Sequence, residues 1–125
     1  MLQIIVKMTI VPRHAAEIIS AFRSLKLSMQ SVAGLVGAHV LLDAESPRSL
    51  CYVEEWESPR DLRQDAVVAH FTRMFGLMEK SEETPVLCVN AVTSTRGIEH
   101  LSALMRGGRP DTGGLDRNRP MECEP

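Results

Sequence analysis

The sequence contains no long apolar run, although 44% of its 125 residues are hydrophobic. Its most apolar stretch, residues 2–11, is interrupted by Gln3 and Lys7 and is far shorter than the roughly 20 residues that a membrane-spanning helix requires. The same stretch has neither a basic lead-in nor a small-residue cleavage site, so it does not match a signal peptide. These absences predict a protein that does not associate with a membrane.

Positive charge is also scarce. The 14 Lys and Arg residues are outnumbered by 16 Asp and Glu residues, which gives a formal net charge of −2. No run of basic residues compensates locally. Since binding to phosphate backbones needs a concentrated positive surface, we predict no nucleic-acid partner.

Cysteine is limited to Cys51, Cys88 and Cys123, an odd number without a C-x-x-C pair. Zinc sites and disulfide frameworks normally show paired cysteine spacings, so neither is predicted. Cys51 and Cys88 lie in apolar runs, where a free thiol behaves as a small hydrophobic side chain. We therefore predict reduced thiols in a cytoplasmic protein, without a metal site.

Four segments have the β-branched and apolar composition of strands. They are residues 3–11, 38–43, 50–56 and 86–92. The first ends at Pro12, which cannot donate to a β-ladder. A polar turn at residues 44–49 joins the second and third strands as a hairpin.

Segments with the apolar spacing of helices lie between these strands. Apolar residues recur every three or four positions over residues 15–29. A second helix is predicted to begin at Ser58, which suits the N-cap position, with Pro59 at the first helical position and Asp61 able to return a bond to the cap. Its pattern is interrupted near residues 65–68 and resumes over residues 71–78. A short third helix is predicted at residues 98–105.

The resulting order, β-α-β-β-α-β, predicts an α+β fold with a ferredoxin-like antiparallel sheet and both helices on one face. The domain is expected to span residues 1–97, followed by the short helix at 98–105. Residues 106–125 contain many Gly, Pro and Arg residues, a composition that predicts a flexible tail.

The second face of such a sheet would be bare and apolar. Residues expected to contribute to it are Val40, Leu42, Cys51, Val53, Val86 and Cys88. An exposed apolar sheet of this extent calls for a covering partner. A symmetric homodimer that pairs two such faces is the simplest arrangement, so we predict a homodimer through the open sheet face.

The most informative motif is Glu55-Trp56-Glu57-Ser58, followed by His70-Phe71. Over roughly residues 2–97 the chain resembles the antibiotic biosynthesis monooxygenase (ABM) family of the dimeric α+β barrel superfamily. Members of that family commonly close the third strand with an acidic residue and Trp, and then carry a helix with one His and a second His before a Phe. The resemblance implies a dimeric α+β barrel.

The resemblance also implies a chemistry that needs no metal or flavin. An electron-rich phenol, anthrone or quinol loses a proton, and its carbanion reduces dioxygen directly. The implied function is a cofactor-independent monooxygenase that oxidises a quinol-like or polycyclic aromatic molecule. The candidate catalytic residues are Trp56 as a stacking wall, His70 as a base or donor, Tyr52 as a donor to a substrate oxygen, and Asp65 as a partner of His70. Trp56, His39, Phe71 and Met74 are the candidate substrate-pocket residues.

An alternative function is consistent with the same residues. Asp65 occupies the position of the first helical His of the family, and Tyr52 occupies a position that holds a polar amide in some monooxygenases. These differences favour a non-catalytic dimeric module that binds a small hydrophobic ligand. A tryptophan at a strand end, such as Trp56, and a helical histidine, such as His70, are also often core residues without a catalytic role. Haem ligation is not predicted, because no His follows His70 along its helix.

Overall fold

Four strands and three α-helices make up the described part of the chain, residues 1–107 of a computed structural model. The strands are β1 (Leu2–Thr9), β2 (Leu35–Leu42), β3 (Ser49–Trp56) and β4 (Val86–Ala91). The helices are α1 (Ala15–Leu27), α2 (Asp65–Met78) and α3 (Ile98–Met105). The tail predicted at residues 106–125 lies outside the described residues, apart from its first two positions.

The strands form one antiparallel sheet in the order β2-β3-β1-β4. The hairpin-linked strands β2 and β3 are paired, β1 lies between β3 and β4 at the centre of the sheet, and α1 and α2 pack against each other. This topology is the α+β ferredoxin-like fold, and it confirms the prediction made from the β-α-β-β-α-β order.

Alternation along the two central strands sets the core. The side chains of Ile4, Val6 and Met8 on β1 are buried, and their neighbours in sequence are only half-buried. On β3 the buried positions are Leu50, Tyr52, Glu54 and Trp56. Because cross-strand partners share a face, the two sets form one continuous surface under the helices. The helices cover it with Ile18, Phe22 and Leu25 from α1 and with Val67, His70 and Met74 from α2.

The connection from β3 to α2 contains the predicted cap. The Ser58 backbone N–H donates to the Asp61 carboxylate over 3.0 Å, and a 3-10 turn spans Pro59–Arg63. Gln64 is extended (φ −64°, ψ 137°) and separates that turn from α2. The interruption expected near residues 65–68 therefore falls at Gln64, and α2 is continuous from Asp65.

The face of the sheet away from the helices is partly apolar. Its members include Ile5, Cys51, Val53, Val86 and Cys88. The prediction that Val40 and Leu42 belong to it is wrong, because they pair with Tyr52 and Leu50 on the helix side. Their neighbours His39 and Leu41 occupy the open face instead. The register of β2 against β3 decides which alternate set of side chains faces the helices. This register includes an irregularity between Leu35 and Gly37.

The two described cysteines differ in state. Cys51 carries a free thiol, and burial raises its pKa although the charge of Lys7 opposes the shift. Cys88 is disulfide-bonded. The expectation of reduced thiols is therefore confirmed for Cys51 and wrong for Cys88. Disulfides are more typical of oxidising compartments, so Cys88 does not support the predicted cytoplasmic location. That location stays a prediction from sequence.

Helix α3 exposes much of its apolar surface, including Ile98, Leu101 and Met105. It is eight residues long. Within residues 1–107, neither α3 nor another helix has the length and apolar character needed to cross a membrane.

Candidate active site

The candidate site is built on the helix-facing side of β3. Tyr52, Glu54 and Trp56 alternate along this strand and therefore point to the same face. They lie opposite Val6, Ile4 and Leu2 of β1, respectively. A row of apolar side chains from β1 thus flanks the three residues, and α2 covers them.

Glu54 is the centre of the site. Its side chain is only 1% exposed, yet it accepts hydrogen bonds from groups on both sides of it in the strand. The Tyr52 hydroxyl donates to Oε2 over 2.7 Å, and the Trp56 indole N–H donates to Oε1 over 3.0 Å. A buried carboxylate is tolerated when donors satisfy its oxygens, and these two bonds do so.

His70 supplies a third contact with Glu54. It lies in the second turn of α2, and its Nε2 is hydrogen-bonded to Glu54 Oε2. The imidazole is fully buried. Its other ring nitrogen, Nδ1, is buried without a hydrogen-bond partner among the described residues. Buried polar atoms are rarely left unpaired, so Nδ1 is an unusual feature of this core.

The Tyr52 phenol is held in its protonated form. Burial raises its pKa well above the usual range, and the charge of Glu54 and the hydrogen bond to it act in the same direction. The ring also packs against Phe22 of α1, with centroids 5.1 Å apart. Tyr52 therefore acts as a hydrogen-bond donor to Glu54 and links the site to the first helix.

All four side chains are closed off from solvent. Tyr52, Trp56 and His70 have no measurable exposure. Water therefore has no access to these three side chains. A ligand therefore reaches Trp56 or His70 only if covering side chains move.

The structure brings together most of the residues predicted from sequence. Tyr52, Trp56 and His70 meet around Glu54, as described above. Phe71 is half-buried beside His70, with ring centroids 5.3 Å apart, and Met74 is buried one turn further along α2. The aromatic series continues outward, since Phe71 stacks on Phe75 with centroids 6.4 Å apart and Phe75 is exposed.

Two predicted residues lie elsewhere. His39 pairs with Val53 on the open face of the sheet, so the sheet itself separates it from Trp56 and His70. Asp65 is exposed at the first residue of α2. A carboxylate in the first turn of a helix interacts favourably with the helix dipole, which accounts for Asp65 without a contact to His70.

Sequence reasoning missed Glu54, the residue that holds the site together. The available signal was its spacing, because the alternation that places Tyr52 and Trp56 on one face necessarily includes Glu54. A charged residue between two aromatic residues on a core-facing strand indicates a buried polar contact.

A surface cavity of about 490 Å³ lies at the opposite end of the strands. It is lined partly by Lys7, Leu41, Cys51 and Val86. None of the four clustered side chains contributes to it. Within residues 1–107, no group of three or more His, Cys, Asp or Glu side chains is arranged to hold a metal ion.

Residues 1–74 match the family model described as antibiotic biosynthesis monooxygenase. This match covers more than half of the chain and includes β1 to most of α2, with all four clustered residues. No curated protein sequence matches the chain.

Several solved structures share the fold. One described as an antibiotic biosynthesis monooxygenase has a TM-score of 0.62 and 21% identity, covering 75% of this chain and all (100%) of the other. Rv0793 from Mycobacterium tuberculosis has a TM-score of 0.64 and 12% identity, with 77% and 98% covered. SnoaB, a cofactor-independent oxygenase from Streptomyces nogalater, has a TM-score of 0.58 and 19% identity, with 75% and 94% covered. At these identities the likeness concerns the fold.

Proposed function

The chain belongs to the antibiotic biosynthesis monooxygenase family, and from this membership and the site geometry we propose that it is a cofactor-independent monooxygenase. The proposed substrate is a quinol-like or polycyclic aromatic molecule, and the oxidant is dioxygen. SnoaB, which has the same fold, is a cofactor-independent oxygenase. That relationship supports the proposal for this chain.

The proposed reaction begins with removal of a proton from an electron-rich substrate. The resulting carbanion transfers an electron to dioxygen, and the two radicals then combine to form a C–O bond. For an anthrone-like CH₂ group the net change is R₂CH₂ + O₂ → R₂C=O + H₂O. One oxygen atom enters the substrate and the other leaves in water. The protein's tasks are to accept the proton and to exclude water from the carbanion.

The observation that carries the proposal is the hydrogen-bonded pair of His70 and Glu54 inside an apolar core. An imidazole ring has one nitrogen that can accept a proton and later return it, which suits a general base. Trp56 lies beside the pair, and its indole is a flat apolar surface for an aromatic ring once the covering side chains move. Tyr52 stays a neutral donor because its pKa is raised by burial.

The alternative of a non-catalytic, ligand-binding module is supported by the closure of the site. The four buried side chains are joined by hydrogen bonds to the Glu54 carboxylate, and such a cluster also stabilises a core. The two functions differ in one measurable respect, since only the monooxygenase consumes dioxygen.

Oxygen uptake with a panel of quinols and anthrones tests the proposal. We expect uptake by the wild-type protein that falls by about 10²–10⁴-fold in His70→Asn, the range associated with loss of a positioned base. Trp56→Phe should weaken substrate binding because the ring is smaller. His14→Asn is the matched control, since His14 is exposed, precedes α1 and is not part of the cluster.

Two results would contradict the assignment. Uptake that is unchanged in a folded His70→Asn, Trp56→Phe double variant would show that the cluster takes no part in the reaction. Absence of uptake with every substrate, together with saturable binding of the same aromatic molecules, would favour the ligand-binding module.

We also propose that the active form is a homodimer paired through the open sheet face. Apolar side chains of β1, β2 and β3, namely Ile5, Leu41 and Val53, lie on that face, and Leu41 is 51% exposed. Burying such a surface against its symmetric copy removes it from water. A cytoplasmic location is retained as part of the proposal.

A further inference from the structure

We infer that Glu54 is a positioning residue that fixes the proton of His70 on Nε2 and leaves Nδ1 as the proton-accepting atom. The inference concerns the ionisation and tautomer of the pair in the resting protein. Its catalytic meaning rests on the proposed function, whereas the tautomer can be measured without any substrate.

The first step is the inventory of donors around Glu54. The Trp56 indole nitrogen can only donate, and it occupies Oε1. Tyr52 remains protonated and donates to Oε2, where the His70 Nε2 also lies. An ionised carboxylate has acceptor sites for all three groups. The geometry is therefore complete when Glu54 is ionised and Nε2 carries a hydrogen.

The second step compares the other protonation states. If His70 were an imidazolium, its Nδ1–H would be a buried donor without a partner among the described residues. If Glu54 were protonated and donated to Nε2, the histidine proton would have to sit on Nδ1, with the same orphan donor as a result. Buried unpaired N–H groups are rarer in proteins than under-satisfied acceptors. The neutral Nε2–H form is the one that leaves only a lone pair unpaired.

The third step gives the consequence for proton transfer. The Nδ1 lone pair accepts the substrate proton, and the electron pair of the broken bond stays on the substrate. The imidazolium formed in this way has Glu54 hydrogen-bonded at its other nitrogen, and the carboxylate stabilises the new positive charge. Glu54 itself neither loses nor gains a proton. It acts through His70, in the way that a carboxylate orients a catalytic imidazole in hydrolases.

The structure also predicts how the pair responds to an isosteric change, Glu54→Gln. The Trp56 N–H can only donate, whereas the Tyr52 hydroxyl can rotate and accept, so the glutamine oxygen takes the Oε1 position and the NH₂ group the Oε2 position. That NH₂ group donates towards His70, and Nε2 must then be an acceptor. The proton of a neutral His70 therefore moves to Nδ1.

Two-bond ¹⁵N–¹H correlation spectra of the full-length protein, labelled with ¹⁵N-histidine, test the inference. The protein has four histidines, and the His70 signals are assigned by their loss in His70→Asn. We expect wild-type His70 to show a protonated Nε2 and an unprotonated Nδ1, and Glu54→Gln to exchange the two. Tyr52→Phe is the control, because it removes a donor from the same oxygen without reversing the polarity at Nε2.

A wild-type His70 that is protonated at Nδ1, or at both nitrogens near neutral pH, would overturn the inference. This result needs no variant, so it stands even if Glu54→Gln fails to fold. A folded Glu54→Gln protein that keeps its proton on Nε2 would overturn it as well. Failure of the proposed function has a different signature, namely the expected tautomer in a protein that consumes no dioxygen. If both hold, Glu54→Gln should lower oxygen uptake by about 10²–10⁴-fold.

Discussion

The Tyr52 hydroxyl donates a 2.7 Å hydrogen bond to the Glu54 carboxylate two residues further along β3, and both side chains are buried. A strand that places a phenol and a carboxylate on the same face brings them within reach without any long-range contact. The helix α2 then adds His70 to the same carboxylate. The cluster therefore consists of a local pair within β3 and a tertiary contact from α2.

Deleting the Tyr52 hydroxyl should destabilise the fold. Tyr52→Phe keeps the ring contact with Phe22 but removes a hydrogen bond to a charged group, a change worth about 1.5–3 kcal/mol in the free energy of unfolding. Urea denaturation measures it. Thr72→Val is the matched control: it deletes an exposed hydroxyl and should change stability by less than about 0.5 kcal/mol. Equal effects of the two variants would contradict the role of the buried bond.

Stability should also fall at alkaline pH because of Tyr52. Its pKa is raised by burial, by the charge of Glu54 and by the hydrogen bond to it, so the folded state holds the phenolic proton more tightly than the unfolded state. This contribution is fully present below the pKa of an unfolded tyrosine, about 10, and is lost as pH rises above it. Denaturation series at several pH values should show a steeper alkaline loss in wild type than in Tyr52→Phe. Because Tyr52 is the single tyrosine, phenolate absorbance should appear only when the protein unfolds.

Two glycines should respond in opposite ways to replacement by alanine. Gly34 has φ +90°, and an added Cβ would lie 2.1 Å from the Asp61 carboxyl carbon that supports the turn before α2. Gly34→Ala should therefore lower the unfolding free energy by at least about 2 kcal/mol. Gly76 lies within α2 with open space around it, so Gly76→Ala should raise stability by about 0.5–1 kcal/mol. Thermal or urea denaturation distinguishes the two, and a tolerated Gly34→Ala would show that the Asp61 contact is not needed.

A charge on the open sheet face should dissociate the proposed homodimer. Val53→Lys places an ammonium group at the middle of that face, where burial against a symmetric copy would bring two like charges together. Val68→Lys is the control, because Val68 is 55% exposed on α2 and lies on the other side of the sheet. Light scattering after size-exclusion chromatography should give a dimer mass for wild type and Val68→Lys and a monomer mass for Val53→Lys. A wild-type mass of one chain would contradict the covered-face proposal.

The fold was largely predictable because its signals are local. Alternating apolar residues predicted the strands, helical spacing predicted α1 and α2, and Ser58 with Asp61 predicted the turn that precedes α2. The face of β2 was predicted wrongly. Val40 and Leu42 alternate with a set that contains the apolar Leu41 as well as His39, so composition did not reveal which set faces the helices, and pairing with β3 decides it.

The candidate site was predictable only in part. Trp56 and His70 were identified through a motif, and Tyr52 through its spacing from Trp56. Glu54 was missed because acidic residues on strands are usually solvated, and its burial depends on donors that come from two different elements. His39 was predicted to line the same pocket as Trp56, whereas the register puts the two side chains on opposite faces of the sheet.

The sequence by itself determined the order of strands and helices, the family, and the alternation that aligns Tyr52, Glu54 and Trp56 on one face. These features depend on side-chain periodicity and on local capping, which the chain carries in neighbouring residues. Only the tertiary structure decided that α2 places His70 on the Glu54 carboxylate and leaves Nδ1 without a hydrogen-bond partner among residues 1–107. Hydrogen bonds between distant segments depend on how the helix is docked and rotated over the sheet, and no spacing along the chain specifies that.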